Sequence, residues 1–291
     1  MITKIICENL KALNFKKLWE SNLVDRSLAI LGAGVIGSSI IRSLIGSGKD
    51  WKIIATARSD ESLNKIKKMG IDATRDNIYA VKNSDVIILA IKPSQLINLA
   101  DEISPFVKEK LIISVVAAAP IKWLSKKLTG AKIVRAMPNI NSETSSSFTV
   151  LSTNSNIDAA SKKLVEEIFS SIGYYEWVDE KYMNALTALS GSAPAFLAEI
   201  IDALALGGIA SGLPRDLAYK AVLYTMQGTA KTLLEKGWSP HYIRDLVITP
   251  AGTTIRGIMV LQGNGLKRSI MEAVLEAQKK ADEIENYLFN S

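Results

Sequence analysis

Three short stretches carry residue types that could do chemistry. The first is Gly32-Ala33-Gly34-Val35-Ile36-Gly37, set between the apolar run Leu28–Leu31 and a segment of helical texture through Leu44. An ordinary glycine turn shares this spacing, but its place between strand and helix favours a dinucleotide pyrophosphate cradle. Gly32 permits the tight turn, Gly34 lets the backbone approach the phosphates, and Gly37 permits close helix–sheet packing. The helix N-terminus then offers N–H donors and the positive end of its dipole. The second stretch is Thr56-Ala57-Arg58-Ser59, which holds no carboxylate before Asp60. A site for NAD usually places an acid here, roughly 20 residues on, to hold the ribose 2′-hydroxyl. Arg58 instead suits a 2′-phosphate, and Ser59 can add a hydrogen bond, so NADPH is expected, with NADH a weaker possibility. The plain alternative for Arg58 is a solvated surface arginine.

The third stretch is Thr249-Pro250-Ala251-Gly252-Thr253-Thr254, followed by the apolar helical run Ile255–Leu261. A Gly-Thr-Thr at a helix start presents backbone N–H groups and hydroxyls together, which suits a carboxylate. Taken by itself, the pair Thr253 and Thr254 suits a simple helix cap equally well. A proton-moving base is hard to find. The single histidine, His241, follows Ser239-Pro240 in what reads as an exposed first turn, and Thr187–Pro194 holds hydroxyls and no base. Lys92, in Ala90-Ile91-Lys92-Pro93 after a strand, is better placed beside a cofactor. Reduction of a hydroxy acid's keto partner normally recruits a His or Lys. An imine brings its own basic nitrogen, so a hydroxyl donor and good positioning would suffice.

These stretches need a scaffold that presents them. From Ser27 onward, short apolar runs alternate with helical segments: Leu28–Leu31, Lys52–Thr56, Val86–Ala90, Leu111–Val116 and Lys132–Arg135. Such Ile/Val/Leu runs read as strands buried on both faces. The spacers are long enough for crossover helices, so the class is α/β with a parallel, doubly wound sheet. Phe148–Leu151 and Tyr174–Val178 could extend it. After about Asp179 strands cease. Met183–Ser211 reads as one long helix with a kink or break at Pro194, its part Ala193–Ala210 buried. A second helix starts at Pro214 and closes at Gly237, and a third begins at Ser239-Pro240. A last helix, Leu266–Leu288, carries Ile270, Val274, Ala277, Ala281, Ile284 and Leu288 on one stripe that needs a covering partner. The expected division is residues 1–26 as an extension, 27–179 as the dinucleotide-binding domain and 180–291 as a helical domain exchanging helices in a dimer.

Composition closes off other classes. Of 291 residues 48% are hydrophobic and 22% charged, as in an average globular protein rather than a disordered one. The net charge of +6 is spread along the chain, so it suits small anionic ligands better than nucleic acid. One cysteine, Cys7, and one histidine exclude an intrachain disulfide and a cysteine- or histidine-built metal site, and fit a reducing, cytoplasmic compartment. Residues 1–26 read as an amphipathic helix or tail rather than a signal peptide, and Glu199 and Asp202 argue against a membrane span within Ala193–Ala210.

Taken in order, these motifs resemble the pyrroline-5-carboxylate reductase family. The resemblance runs from about Leu28 to Ala277 and adds Ser114-Val115-Val116-Ala117, Arg135-Ala136-Met137-Pro138-Asn139 and Gly212-Leu213-Pro214. Its most specific part is Arg244–Thr254. The resemblance implies a Rossmann-type domain followed by an all-helical dimerisation domain, a homodimer or larger ring, and NADPH-dependent reduction of 1-pyrroline-5-carboxylate to L-proline. It implies that Thr254 hydrogen-bonds the ring nitrogen, that Thr249, Gly252 and Thr253 hold the substrate carboxylate, and that Thr187 also meets the substrate. Lys92-Pro93 and Val115–Ala117 would line the nicotinamide, and Asn77 and Glu180 would contact the cofactor. The chain departs from the family pattern at Ala251, Thr249 and Ala193, and at Asn139-Ile140-Asn141, which is followed by the polar Ser142–Ser147. Two other readings stand beside this one: a reductase of a different cyclic imino acid, and a nucleotide-binding regulatory protein without catalysis.

Overall fold

The computed structural model describes residues 26–154 and 157–289. Cys7 and nearly all of the extension expected at 1–26 lie outside them. The chain divides into two compact units, one comprising the described residues up to Met183 together with those from Asp282 onward, the other Asn184–Ala281.

The first unit is built on an eight-stranded sheet of order β3-β2-β1-β4-β5-β6-β7-β8. The strands are β1 (Ser27–Leu31), β2 (Lys52–Thr56), β3 (Asp72–Thr74), β4 (Val86–Leu89), β5 (Leu111–Ser114), β6 (Lys132–Met137), β7 (Ser147–Ser152) and β8 (Gly173–Trp177). Their alternating side chains feed two cores. Leu28 and Ile30 of β1 point into one, with Ile40, Ile41 and Leu44 of α1 (Val35–Gly46) and Ile168 and Phe169 of α6 (Ala159–Ser170). Ala29 and Leu31 point into the other, with Ala80 and Val81 of α3 (Asn77–Lys82), Leu96 and Ile103 of α4 (Pro93–Ile103) and Leu124 of α5 (Ile121–Lys127). Each fully buried Ile or Leu contributes about 1.5–3 kcal/mol, which is why the central strands are unbroken apolar runs. The sheet is not wholly parallel: β6 and β7 pair antiparallel, Ala136 opposite Leu151, whereas β7 and β8 run parallel.

Capping sets the helix starts around the sheet's C-terminal edge. Ser59 caps α2 (Asp60–Lys68), its Oγ accepting from Ser62 N at 3.2 Å, and Asp76 caps α3 by accepting from Tyr79 N at 2.9 Å.

In the second unit the expected long helix is broken by a π-helical stretch, Thr187–Ser192, between α7 (Met183–Leu186) and α8 (Ala193–Ala210), with Pro194 in the first turn of α8. α9 (Arg215–Lys236) begins just after Pro214 and ends on Gly237 at φ 63°. α10 (Pro240–Val247), α11 (Thr253–Gly263) and α12 (Leu266–Phe289) follow. α8 and α9 are tied by the Tyr219 hydroxyl, which donates to Asp202.

Within one chain α8 is largely uncovered: Ala205 is its buried residue, and Leu197, Leu204 and Leu206 are exposed. By length and composition Glu180–Ala210 could even cross a membrane. The apolar residues of α8 lie on several sides of the helix, so the remaining chain leaves much of that surface for another molecule to cover.

Candidate active site

The C-terminal ends of β1, β2 and β4 open onto a cavity of about 680 Å³, within the range of small-molecule and cofactor sites. Gly32, Ala33 and Gly34 line one side, and Ala90, Ile91 and Lys92 the other. The loop is held by its own backbone: Gly32 N and Ala33 N donate to Thr56 O at 3.2 and 2.9 Å, and Gly32 N also reaches Thr56 Oγ1 at 3.3 Å. Gly32 sits at φ +96°, and a Cβ there would lie 2.6 Å from Ile91 Cγ2 and 2.7 Å from Ala90 O. A Cβ on Gly37 would lie 2.6 Å from Gly32 O, so α1 packs tightly beneath the loop. Gly34 has nothing within 4 Å of its missing Cβ, and so leaves open space where phosphates would pass. These residues fit a dinucleotide. Val35 and Ile36 continue the loop into the first turn of α1 but do not line the cavity.

At the far end the cavity meets Ala57, Arg58 and Ser59, together with three residues sequence reasoning passed over: Ser62, Arg75 and Glu102. The Ser59 hydroxyl is already engaged, since it caps α2 and donates to Ser62 Oγ at 2.9 Å. Asn77 lines the cavity and donates to Glu102 Oε2 at 3.1 Å. Gln95, Asn98 and Glu102 share one face of α4, a pattern visible as i, i+3, i+7 once the helix is placed.

Pro93 and Val115–Ala117 stand at the same sheet edge, Pro93 opening α4 and Val115 N donating to Leu89 O at 3.0 Å, but they do not line this cavity. Glu180 makes two contacts that its motif position does not announce. Its Oε1 accepts from Ile121 N at 2.6 Å, at the start of α5, and from the buried Arg135 Nη1 at 3.4 Å. Glu180, like Pro93 and Val115–Ala117, does not line this cavity. The polar Asn139–Ser147 segment also has a structural account. Ser142 shares a 2.7 Å hydrogen bond with Ser39 of α1, both hydroxyls being buried, and Glu143 pairs with Arg42, so the segment clamps the helix behind the glycine loop.

In the helical unit, Thr249-Pro250-Ala251-Gly252 folds into a turn closed by Gly252 N donating to Thr249 O at 3.1 Å. A Cβ at 252 would lie 2.2 Å from Thr249 Oγ1 and 3.2 Å from Thr249 O, so a side chain there would push the Thr249 hydroxyl aside. Gly252 is the N-cap of α11 and no side chain caps it, so Thr253 and Thr254 are not spent as caps. The first-turn amides are thereby left to a ligand or solvent. Thr249 and Thr253 are exposed and Thr254 half-buried. Thr187 is buried in the π-helical stretch, and His241 is exposed in the first turn of α10.

Ala251 adopts φ 56°, the left-handed region. A Cβ is disfavoured there, whereas glycine is not. Ala251→Gly should therefore raise stability by about 0.5–1 kcal/mol, net of glycine's greater unfolded-state entropy. Urea unfolding checks this, and a loss of stability would show the methyl to be packed to advantage.

Two family models match the chain. Pyrroline-5-carboxylate reductase dimerisation covers residues 180–284, and NADP oxidoreductase, coenzyme F420-dependent, covers 27–118. The dimerisation match accounts for the uncovered faces of the helical unit as a subunit interface, and the chain is a homo-oligomer. A pyrroline-5-carboxylate reductase of Methanosarcina acetivorans is 36% identical over 268 residues, covering 89% of this chain and 98% of that one. Among solved structures, a pyrroline-5-carboxylate reductase from Coxiella burnetii superposes with a TM-score of 0.81 at 32% identity, covering 89% of this chain and 98% of that one. A Plasmodium falciparum pyrroline carboxylate reductase with NADP bound gives the same TM-score, 0.81, at 26% identity, with coverage of 89% and 98%. With the glycine cradle, the arginine-tipped cavity and the Gly-Thr-Thr helix start in place, the conclusion is that the chain belongs to the pyrroline-5-carboxylate reductase family.

Proposed function

We propose that the chain reduces 1-pyrroline-5-carboxylate to L-proline with NADPH as a homodimer or larger ring, in the cytoplasm. The observation that carries the reading is a pyrophosphate cradle ending in Arg58, in a chain 36% identical to a named reductase over nearly its whole length. Bound NADPH supplies a hydride for the imine carbon. The ring nitrogen arrives protonated or takes its proton from solvent through a hydroxyl, so the product gains one C–H and one N–H bond.

The first unit takes the cofactor. Gly32–Gly37 hold the pyrophosphate, Ala57, Arg58, Ser59 and Asn77 the adenosine end, and Ala90–Pro93 with Val115–Ala117 the nicotinamide end. The second unit takes the substrate. Thr249, Gly252 and Thr253 bind its carboxylate through hydroxyls and amides, Thr187 packs beside it, and Thr254 hydrogen-bonds the ring nitrogen. Nothing in this set needs to abstract a proton from carbon or oxygen. Orientation of two bound molecules is the main contribution, and can supply up to about 7–11 kcal/mol. Glu180 belongs to this scheme only as a support for Arg135 and α5.

Initial rates of NADPH oxidation with 1-pyrroline-5-carboxylate, set against a six-membered cyclic imino acid and against NADH, test the reading. Robust turnover with the five-membered ring is expected, and none with any cyclic imine would refute it. Arg58→Ala should weaken NADPH about tenfold and NADH scarcely, since one charge-assisted contact is removed. An unchanged ratio would place recognition of the 2′-phosphate elsewhere.

A further inference from the structure

A second arginine stands at the same end of the cavity as Arg58. β3 pairs parallel with β2 so that Thr56 lies opposite Thr74, and Ala57 N donates to Thr74 O at 3.3 Å. The two strands therefore release their next residues at the same level of the sheet edge. Arg58 follows one strand and Arg75 the other, and both line the cavity with Ser59 and Ser62. Arg75 is oriented by two contacts. Its Nε donates to Arg58 O at 3.2 Å, and its Nη2 donates to Asp60 Oδ1 at 2.6 Å. A guanidinium has five N–H donors, so these two bonds leave others for a ligand.

The ion pair with Asp60 is exposed, with side chains 58% and 81% accessible. Such pairs hold weakly against solvent. A phosphate offers more charge and three acceptor oxygens, and so competes well with one carboxylate. We propose that Arg75 is a specificity-determining residue, the second cation of the 2′-phosphate site, which exchanges Asp60 for the phosphate when the phosphorylated ribose enters. The proposal rests on the NADPH reading above. It assigns Asp60 as the resident counter-ion, and it makes selection of the phosphorylated cofactor depend on two arginines from adjacent strand ends.

The test uses fragments that lack nicotinamide, so that its readout is binding and not turnover. Calorimetric titration of the whole protein with 2′,5′-ADP and with 5′-AMP compares the wild type with Arg75→Gln, Arg75→Lys and Asp60→Asn. Arg75→Gln should weaken 2′,5′-ADP about tenfold and leave 5′-AMP within about twofold. Arg75→Lys should recover part of that loss, because it keeps the charge without the fork that also holds Arg58 O. Asp60→Asn should tighten 2′,5′-ADP by removing the competing carboxylate. Unchanged 2′,5′-ADP binding in Arg75→Gln, or an equal loss for both fragments, overturns the proposal. A wild type that binds the two fragments equally would instead overturn the NADPH reading, and Arg75's role with it.

Discussion

Thr254→Ala is expected to lower kcat about a hundredfold while the dissociation constant for NADPH stays within about twofold. The separation follows from where Thr254 sits. It occupies the first turn of α11, in the helical unit, whereas the cavity fitted to the dinucleotide lies wholly in the other unit. The helix start has no side-chain cap, and Gly252 provides the N-cap position through its backbone alone. Loss of the hydroxyl therefore costs α11 little, and the variant should fold. In the proposed reaction it removes a donor to a nitrogen whose bonding changes during hydride transfer, the kind of contact that strengthens towards the transition state. Thr254→Ser should retain most of the activity. Steady-state kinetics with 1-pyrroline-5-carboxylate and fluorescence titration with NADPH give the two numbers. Full turnover in the alanine variant would remove Thr254 from the reaction.

Glu180→Ala should destabilise the protein by about 3 kcal/mol and leave NADPH affinity nearly unaltered. Arg135 has a side chain only 3% exposed, and burial pulls its guanidinium below the ordinary arginine range, with Glu180 and Glu285 opposing that pull. Removing Glu180 leaves a buried cation short of a carboxylate, and it strips the Ile121 amide at the start of α5 of its acceptor. Taking one carboxylate from a buried charge costs more than replacing both partners with apolar residues, so the double variant Arg135→Met, Glu180→Leu should regain part of the loss. Urea denaturation reads the stability. A Glu180→Ala protein of normal stability that fails to bind NADPH would show this carboxylate to be a cofactor ligand, as the family resemblance alone implied.

The sheet's centre was legible because a strand buried on both faces is mostly apolar, as Val86–Leu89 and Leu111–Ile113 are. β3 was not, since Asp72-Ala73-Thr74 is a three-residue edge strand with no apolar run to announce it. Arg75 was missed for the same reason: its importance depends on the pairing of β3 with β2, which composition does not reveal. The reversal at β7 could have been inferred. Residues 138–146 are too few for the crossover of a dozen or more residues that a parallel partner requires. The glycine loop and the Gly-Thr-Thr start were readable because each is contiguous and its geometry is local. The contacts of Glu180 were not readable because its partners, at 121 and 135, lie far off in the chain. Hydropathy along α8 reports that the helix will be covered, not which molecule covers it.

The wide turn at Thr187–Ser192 sets a phase relation that the flanking helices inherit. An i→i+5 ring accommodates a supernumerary residue, so everything beyond it is rotated by about a quarter-turn or slightly more relative to an uninterrupted α-helix. Thr187 and the small residues Ser190, Gly191 and Ser192 thus face directions that a regular helix carrying Leu197 and Leu204 would not allow them. Relatives that lengthen or shorten this stretch by a single residue would have to re-aim either the buried threonine or the apolar faces beyond it, and point substitutions alone would not restore both.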